Sequence, residues 1–343
     1  RETVAEDAAN RIVSGWEAIP GQHPHQAALR MVSAIGGVSS CGGSFVHRLW
    51  LITAAHCTAQ RVTLVVFGGL VNLTRPEYLY ETTEWWNHPT YNDDLVTIVQ
   101  PNDISIVKLQ RPVTYTRNLK AIRIQPTLES FRNYDGEVVH TSGYGRTWTL
   151  SSTSEILRWV YLRAVSNPTC ATTFGSLITA NTICARWYNV TSQSTCQGDS
   201  GGPLVHVGSD GVKTLIGVTS FVAGGDWGCH SGLPAGFIRP GPFLNWFEEI
   251  SGIDFENLQE DDEDDVTETT PPEEEDITEP TPPEEDSGEE SDSSEEDDSS
   301  ESDEDEELSE LMKRLQIKVK VKVTLNKFKK PKRDSPKLKA KKD

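Results

Sequence analysis

Lysine is scarce in the first three quarters of this chain, and basic residues of any kind vanish in the stretch that follows. Residues 1–255 hold 15 arginines but only 3 lysines, with 18 basic against 20 acidic side chains. Residues 256–310 hold 30 acidic side chains and no basic one, and residues 311–343 hold 14 basic and 2 acidic. The net charges are thus −2, −30 and +12 across the three regions of a 343-residue chain whose total is −20. The low isoelectric point therefore belongs to an appendage and not to the part that can fold. No apolar run approaches the roughly 20 residues of a membrane-spanning helix, so no membrane span is expected. Cysteine is absent after Cys229, and none of the six follows C-x-x-C spacing, which argues against a zinc ribbon or a thioredoxin-type redox site. The chain opens on Arg1, and no export leader is expected within it.

What is present is concentrated in three short strings. Cys196–Pro203 reads Cys-Gln-Gly-Asp-Ser-Gly-Gly-Pro. A serine between glycines can occupy a tight turn whose N–H groups converge on one point, giving a nucleophile and an oxyanion site together. Taken alone the string is also compatible with a plain glycine-rich turn. Thr53-Ala54-Ala55-His56-Cys57 adds a histidine beside a cysteine, and Asn102-Asp103-Ile104-Ser105 adds an aspartate that opens an apolar run. The order His56, Asp103, Ser200 makes a nucleophile, a base and an orienting carboxylate the stronger reading.

These three strings identify the segment from Ile12 to about Ile253 as a member of the chymotrypsin-like (trypsin-fold) serine proteases. Gly228-Cys229-His230-Ser231-Gly232-Leu233-Pro234-Ala235-Gly236-Phe237 most resembles arthropod brachyurins and collagenase-like chymotrypsins. The resemblance implies an all-β fold of two antiparallel six-stranded barrels with a C-terminal helix and the active site between the barrels. It implies His56 as general base and then acid, Asp103 as its orienting partner and Ser200 as nucleophile. The N–H groups of Gly198 and Ser200 would form the oxyanion hole. The cysteines would pair as Cys41–Cys57, Cys170–Cys184 and Cys196–Cys229, in keeping with an oxidising, extracellular setting.

Further expectations rest on the same resemblance. Asn10-Arg11-Ile12-Val13-Ser14-Gly15 matches a zymogen cleavage site, cut after Arg11 by an activating trypsin-like protease. The freed Ile12 amine would pair with Asp199 and draw the loops into their active arrangement, since an unpaired buried carboxylate is costly. Ser194 falls at the floor of the specificity pocket, Ser220-Phe221-Val222 at the substrate-pairing strand and Ala235 at the far wall. A neutral floor excludes a Lys or Arg preference. Val222, in place of glycine, should narrow the mouth toward Leu, Met, Ala or Val, with Phe or Tyr still admissible. The insertion Ala223–Gly228 departs from the shorter mammalian loop. No acidic loop resembles the family's calcium site, so neither metal nor cofactor is expected.

The coarse pattern agrees with a strand-rich body. Ser44–Val46, Trp50–Thr53, Val62–Phe67, Ile104–Leu109, Val138–Ser142 and Leu215–Ser220 are short apolar or alternating runs between turn residues. Phe243–Ile250 has helical spacing, with its aromatics read as core. Asn72 and Asn189 each open an Asn-x-Thr sequon, and a glycan at either would suit a secreted chain.

Four regions follow: a propeptide over 1–11, the protease domain over 12–255, an acidic tail over 256–310 and a basic segment over 311–343. The acidic tail carries too little apolar surface to offset its ordering entropy and is expected to be disordered. Its chemistry suits solubilisation, cation binding, or phosphorylation at Ser293 and Ser302. Ile317–Val323 alternates strictly, as one amphipathic strand would. The basic segment suits heparin-like polymers or another anionic surface. Phe328 is its only aromatic, which argues against a dedicated nucleic-acid module. The arginine-rich body suits an alkaline fluid such as a gut lumen, although codon drift gives the same ratio. The expected substrates are proteins or peptides. The rival readings are a non-catalytic homologue used for binding, and a protease anchored to a matrix by its charged tail.

Overall fold

The computed structural model describes residues 15–147, 151–223 and 228–258. The cleavage site at Arg11 and Ile12, most of the Ala223–Gly228 insertion and the tail beyond Leu258 lie outside them. Fifteen strands and three short α-helices make up the described body. The first barrel follows the two-residue strand β1 (Trp16–Glu17). It consists of β2 (Gln26–Ser33), β3 (Val38–His47), β4 (Trp50–Thr53), β5 (Arg61–Gly68), β6 (Tyr78–Thr82), β7 (Trp85–Asn87) and β8 (Ser105–Lys108), with the one-turn helix α1 (Ala55–Thr58) after β4. The sheet order is β6-β5-β2-β3-β4-β8-β7. Only two residues separate β6 from β7, yet they stand at opposite ends of that order. One bent strand therefore closes the sheet on itself, and seven segments make six strands of barrel.

β5 shows why these residues take this form. Leu64 and Val66 are fully buried, whereas Arg61, Thr63 and Val65 are half-buried on the other face and Val62 is 49% exposed. That alternation is what a strand with one face on a core requires, and each fully buried aliphatic contributes roughly 1.5–3 kcal/mol.

The second barrel comprises β9 (Arg123–Ile124), β10 (Val138–Gly143), β11 (Arg158–Val165), β12 (Thr182–Trp187), β13 (Pro203–Val207), β14 (Lys213–Val222) and β15 (Ala235–Ile238). Its order runs β11-β10-β13-β14-β15-β12, and an additional β11–β12 pairing closes the ring at six. β1 and β9 are two-residue attachments at its margin. Between β11 and β12 lies helix α2 (Asn167–Phe174), capped by the Ser166 side chain and ended by Gly175 at φ 59°.

The expected C-terminal helix is α3 (Leu244–Ser251), which begins one residue later than the spacing implied and ends at Gly252 in the left-handed conformation. Its buried residues are Leu244 and Phe247, with Phe243 buried in the turn before it and Trp246 half-buried. The docked chain continues past 255. Glu256 accepts from Thr127 N at 2.6 Å and from Thr127 Oγ1 at 2.8 Å, and Leu258 packs against the core.

Candidate active site

The seam between the barrels places the three strings together. On the first barrel, α1 carries His56 immediately after β4, and Asp103 precedes β8, the strand that pairs with β4. Asn102 adopts φ 55°, a left-handed conformation that asparagine tolerates better than most residues. Its side chain is held from both sides, donating to Thr90 Oγ1 and accepting from Asn181 Nδ2, each at 2.9 Å. Asp103, which follows, is 3% exposed. Its Oδ1 accepts from His56 N at 2.8 Å, and its Oδ2 meets His56 Nδ1 at 2.7 Å. Burial pushes the imidazole pKa down, but the charge and hydrogen bond of Asp103 outweigh it, and the net shift is upward. For Asp103, burial pushes up and the contacts with His56 and Ser220 pull its pKa down below the usual range. With Nδ1 committed to Asp103, Nε2 is the nitrogen left to exchange protons.

On the second barrel, the loop Cys196–Gly202 carries Ser200. Gly198 sits at φ 102° and Gly201 at φ 78°, so the loop needs glycine at both points. The amides of Asp199, Gly201 and Gly202 donate to Cys196 O, Thr219 O and Asp199 O. Those of Gly198 and Ser200 have no acceptor among the described residues, and they flank the Asp199 peptide on either side. Such a pair of free donors next to a serine is what a developing oxyanion requires. Gly42 N of β3 donates to Ser200 O at 2.7 Å, and Cys57 Sγ lies 3.7 Å from the same oxygen. A Cβ on Gly42 would meet Gly202 Cα at 3.0 Å, and one on Gly201 would overlap Thr53 Oγ1. The Ser200 loop thus reaches β3 and the end of β4 because side chains are missing at the crossing.

Asp199 points the other way, into the second barrel, and is 1% exposed. It accepts from Gly145 N at 2.8 Å and Cys196 N at 2.9 Å. No cation among the described residues pairs with it, and burial pushes its pKa up to about 6. Its proposed partner, the Ile12 amine, lies outside the described residues.

Ser194 is buried, and Val222 packs on the Cys196–Cys229 disulfide and pairs with Ala235 in the β14–β15 ladder. A bulge between Thr219 and Phe221 leaves Ser220 out of that ladder and re-aims its side chain. Ser220 Oγ donates to Asp103 Oδ2 at 2.6 Å. The Phe221 ring fills the space where a Cβ of residue 236 would stand, and it meets Phe174 of α2 at 5.0 Å, edge to face. Phe174 carries no sequence signal that ties it to the site.

All three disulfides form in the pairing the resemblance implies: Cys41–Cys57, Cys170–Cys184 and Cys196–Cys229. The one cluster of metal-type ligands among the described residues is Cys41, His56 and Cys57, and its two sulfurs are bonded to each other. Asn189 is exposed, and Asn72 is half-buried with its Oδ1 accepting from Thr74 N.

The Trypsin family model matches residues 12–247, more than two thirds of the chain and both barrels. The chain belongs to the trypsin family of chymotrypsin-like serine proteases. Among curated relatives, a collagenase of Hypoderma lineatum is 33% identical over 246 residues, covering 71% of this chain and 89% of that protein. A brachyurin of Leptuca pugilator is 33% identical over 246 residues and covered to 99%. Chymotrypsin-like elastase family member 1 of Rattus norvegicus is 32% identical over 246 residues, covering 70% of this chain and 89% of that protein. The solved structure of HL collagenase aligns with a TM-score of 0.62 at 33% identity, covering 71% of this chain and 99% of that one. The trypsin-family chain is therefore a serine endopeptidase of the chymotrypsin fold, with proteins or peptides as its substrate class.

Proposed function

We propose that this trypsin-family chain is a secreted zymogen, activated by cleavage after Arg11, that hydrolyses peptide bonds after uncharged residues. The observation that carries the reading is the His56–Asp103 pair, set across the seam from a serine flanked by two free amides. Ser200 Oγ attacks the scissile carbonyl while His56 Nε2 takes its proton. The Gly198 and Ser200 amides hold the oxyanion, and His56 returns the proton to the leaving amine as the acyl-enzyme forms. Water, deprotonated by the same nitrogen, then releases the acid.

The preference follows from the pocket. Ser194, Val222 and Ala235 bring no charge, and valine at 222 sets a branched side chain at the wall where glycine would leave space. Leu, Met, Ala and Val are the favoured residues before the cut, with Phe or Tyr next. Asn72 and Asn189 are the glycan acceptors of the secreted chain. Residues 256–343 form the charged tail, whose acidic part suits cations and whose basic part suits polyanions.

A peptide-library cleavage profile, taken after activation with trypsin and compared with Ser200→Ala, tests this. Cleavage after uncharged residues in the wild type and none in the variant is expected. Equal hydrolysis by both would overturn the triad, and dominant cleavage after Lys or Arg would overturn the pocket assignment.

A further inference from the structure

The second barrel holds a buried cation that nothing in the active site uses. Arg239, at the end of β15, is 6% exposed, and no carboxylate pairs with it among the described residues. Its guanidinium has five N–H donors. Only two reach an acceptor: Nε to Thr182 O and Nη1 to Ser130 O, both at 3.4 Å, near the outer limit of hydrogen bonding. The Tyr134 ring lies 5.8 Å from Cζ, at the edge of cation–π range. A buried charge paired this weakly is expensive to keep. Burial also holds the Arg239 pKa below its usual value.

Arg239 lines a cavity of about 470 Å³, the size range of small-molecule sites. Much of the wall is apolar, from Phe131, Ala164, Val165, Pro168 and Ile183. The other charged groups on the lining already have partners. Arg132 Nη2 meets both Glu137 oxygens at 3.1 Å and its ring neighbour is Tyr134, while Asp135 Oδ1 accepts from Ser166 N at 2.8 Å. One cation remains unpaired in an apolar hollow, and the complementary ligand is one anion on one apolar body.

We propose that this cavity binds a small monocarboxylate with an apolar chain, its carboxylate on the guanidinium of Arg239 and its chain against Val165, Pro168 and Ile183. A carboxylate matches the guanidinium fork, so two donors now idle gain charge-assisted bonds. The site is separate from the triad, whose residues do not line it.

The probe is hexanoate, titrated into the full uncut chain by calorimetry, with 1-hexanol and sulfate as controls for body without charge and charge without body. Saturable hexanoate binding is expected, with each control weaker by about tenfold or more. Arg239→Met should abolish hexanoate binding while peptide hydrolysis after activation stays unchanged. Because Arg239→Met removes a buried group and its fold is not assured, methyl shifts of Ala164 and Ile183 in the wild type provide a second readout. Hexanoate that binds Arg239→Met as tightly as the wild type, binds no better than hexanol or sulfate, or leaves those methyls unmoved would overturn the proposal.

Discussion

Ser220 and Asp103 meet across the boundary between the barrels, with Ser220 Oγ 2.6 Å from the carboxylate oxygen that also holds His56. The bulge that frees Ser220 from its ladder therefore braces the partner of the histidine. Ser220→Ala removes a donor to the charged form of Asp103. The less satisfied carboxylate should attract the imidazolium more strongly and raise the His56 pKa further. Since His56 acts as base when neutral, the acid limb of kcat/KM, already above 6.5, should move up by roughly half a unit. The loss of rate on the plateau should stay below about tenfold, against several orders of magnitude for His56→Ala. A pH–rate profile of the variant checks both; an unmoved acid limb would show that the bond does not tune the histidine.

Asp199 supplies a second test. Its folded pKa, near 6, lies above the carboxylate reference of 3.8, so in the uncut chain its ionisation opposes folding. The cost is full above about pH 6 and relieved as pH falls toward 3.8. Asp199→Asn should leave the uncut chain at least as stable as the wild type at pH 7.5, and should remove the stability that the wild-type carboxylate regains as pH falls from about 6 toward 3.8. The same variant should gain little activity after cleavage at Arg11, about a hundredfold or more below wild type, because the Ile12 amine would find no charge to pair with. Urea melts of the uncut form and turnover after trypsin treatment separate the two effects.

A third prediction concerns three neighbouring histidines, two of which, His23 and His140, pack on Trp159. His23 lies 5.3 Å from His140 and 6.1 Å from His25, ring to ring, and all three are buried. Burial, reinforced by Lys213 and by one another, holds His25 and His140 at about 3 and His23 well below 6.5. Folded pKa values below the unfolded value mean that the unfolded chain binds more protons. Stability is complete above about pH 6.5 and falls as the solution is acidified. At pH 5 each imidazole removes about 2 kcal/mol, a large share of ordinary domain stability when three act together. The urea midpoint should drop steeply between pH 7.5 and 5. His23→Phe, which replaces a ring with neither nitrogen bonded, should flatten that drop by about a third. A slope unaltered by His23→Phe would assign acid sensitivity to other groups.

The pocket gives the fourth. Val222→Gly should raise kcat/KM for Phe and Tyr relative to Val or Ala by about tenfold or more, since it removes a branched side chain from the wall. A competition assay with a mixed peptide library reads this ratio directly. No change would place the constriction elsewhere.

What the sequence made legible and what it hid divide along contact range. The Ser200 loop was readable because its glycines are demanded by local backbone angles, and β5 because alternation is a local property. The closure of the first barrel was available only through the family resemblance, since in the chain itself it depends on β6 and β7 pairing with strands at opposite ends of the sheet. Ser220 was placed on the substrate-pairing strand, but its bond to Asp103 spans 117 positions and arises from a bulge. His23 and His140 are likewise neighbours only in three dimensions. Arg239 reads as an ordinary cation in the string Phe237-Ile238-Arg239-Pro240 and becomes unusual only once its surroundings are known.

The near-touching backbones of Gly42 and Gly202 have a consequence for maturation. His56 and Asp103 precede Ser200 in the chain and sit on the first barrel, whereas Ser200 belongs to the second. On the reading proposed above neither half holds the complete set of reactive groups, so docking at this crossing must come before cleavage after Arg11 can yield activity. An added methyl at position 42 would meet Gly202 Cα at 3.0 Å, so the two backbones would have to part by a few tenths of an ångström at the point where the halves join.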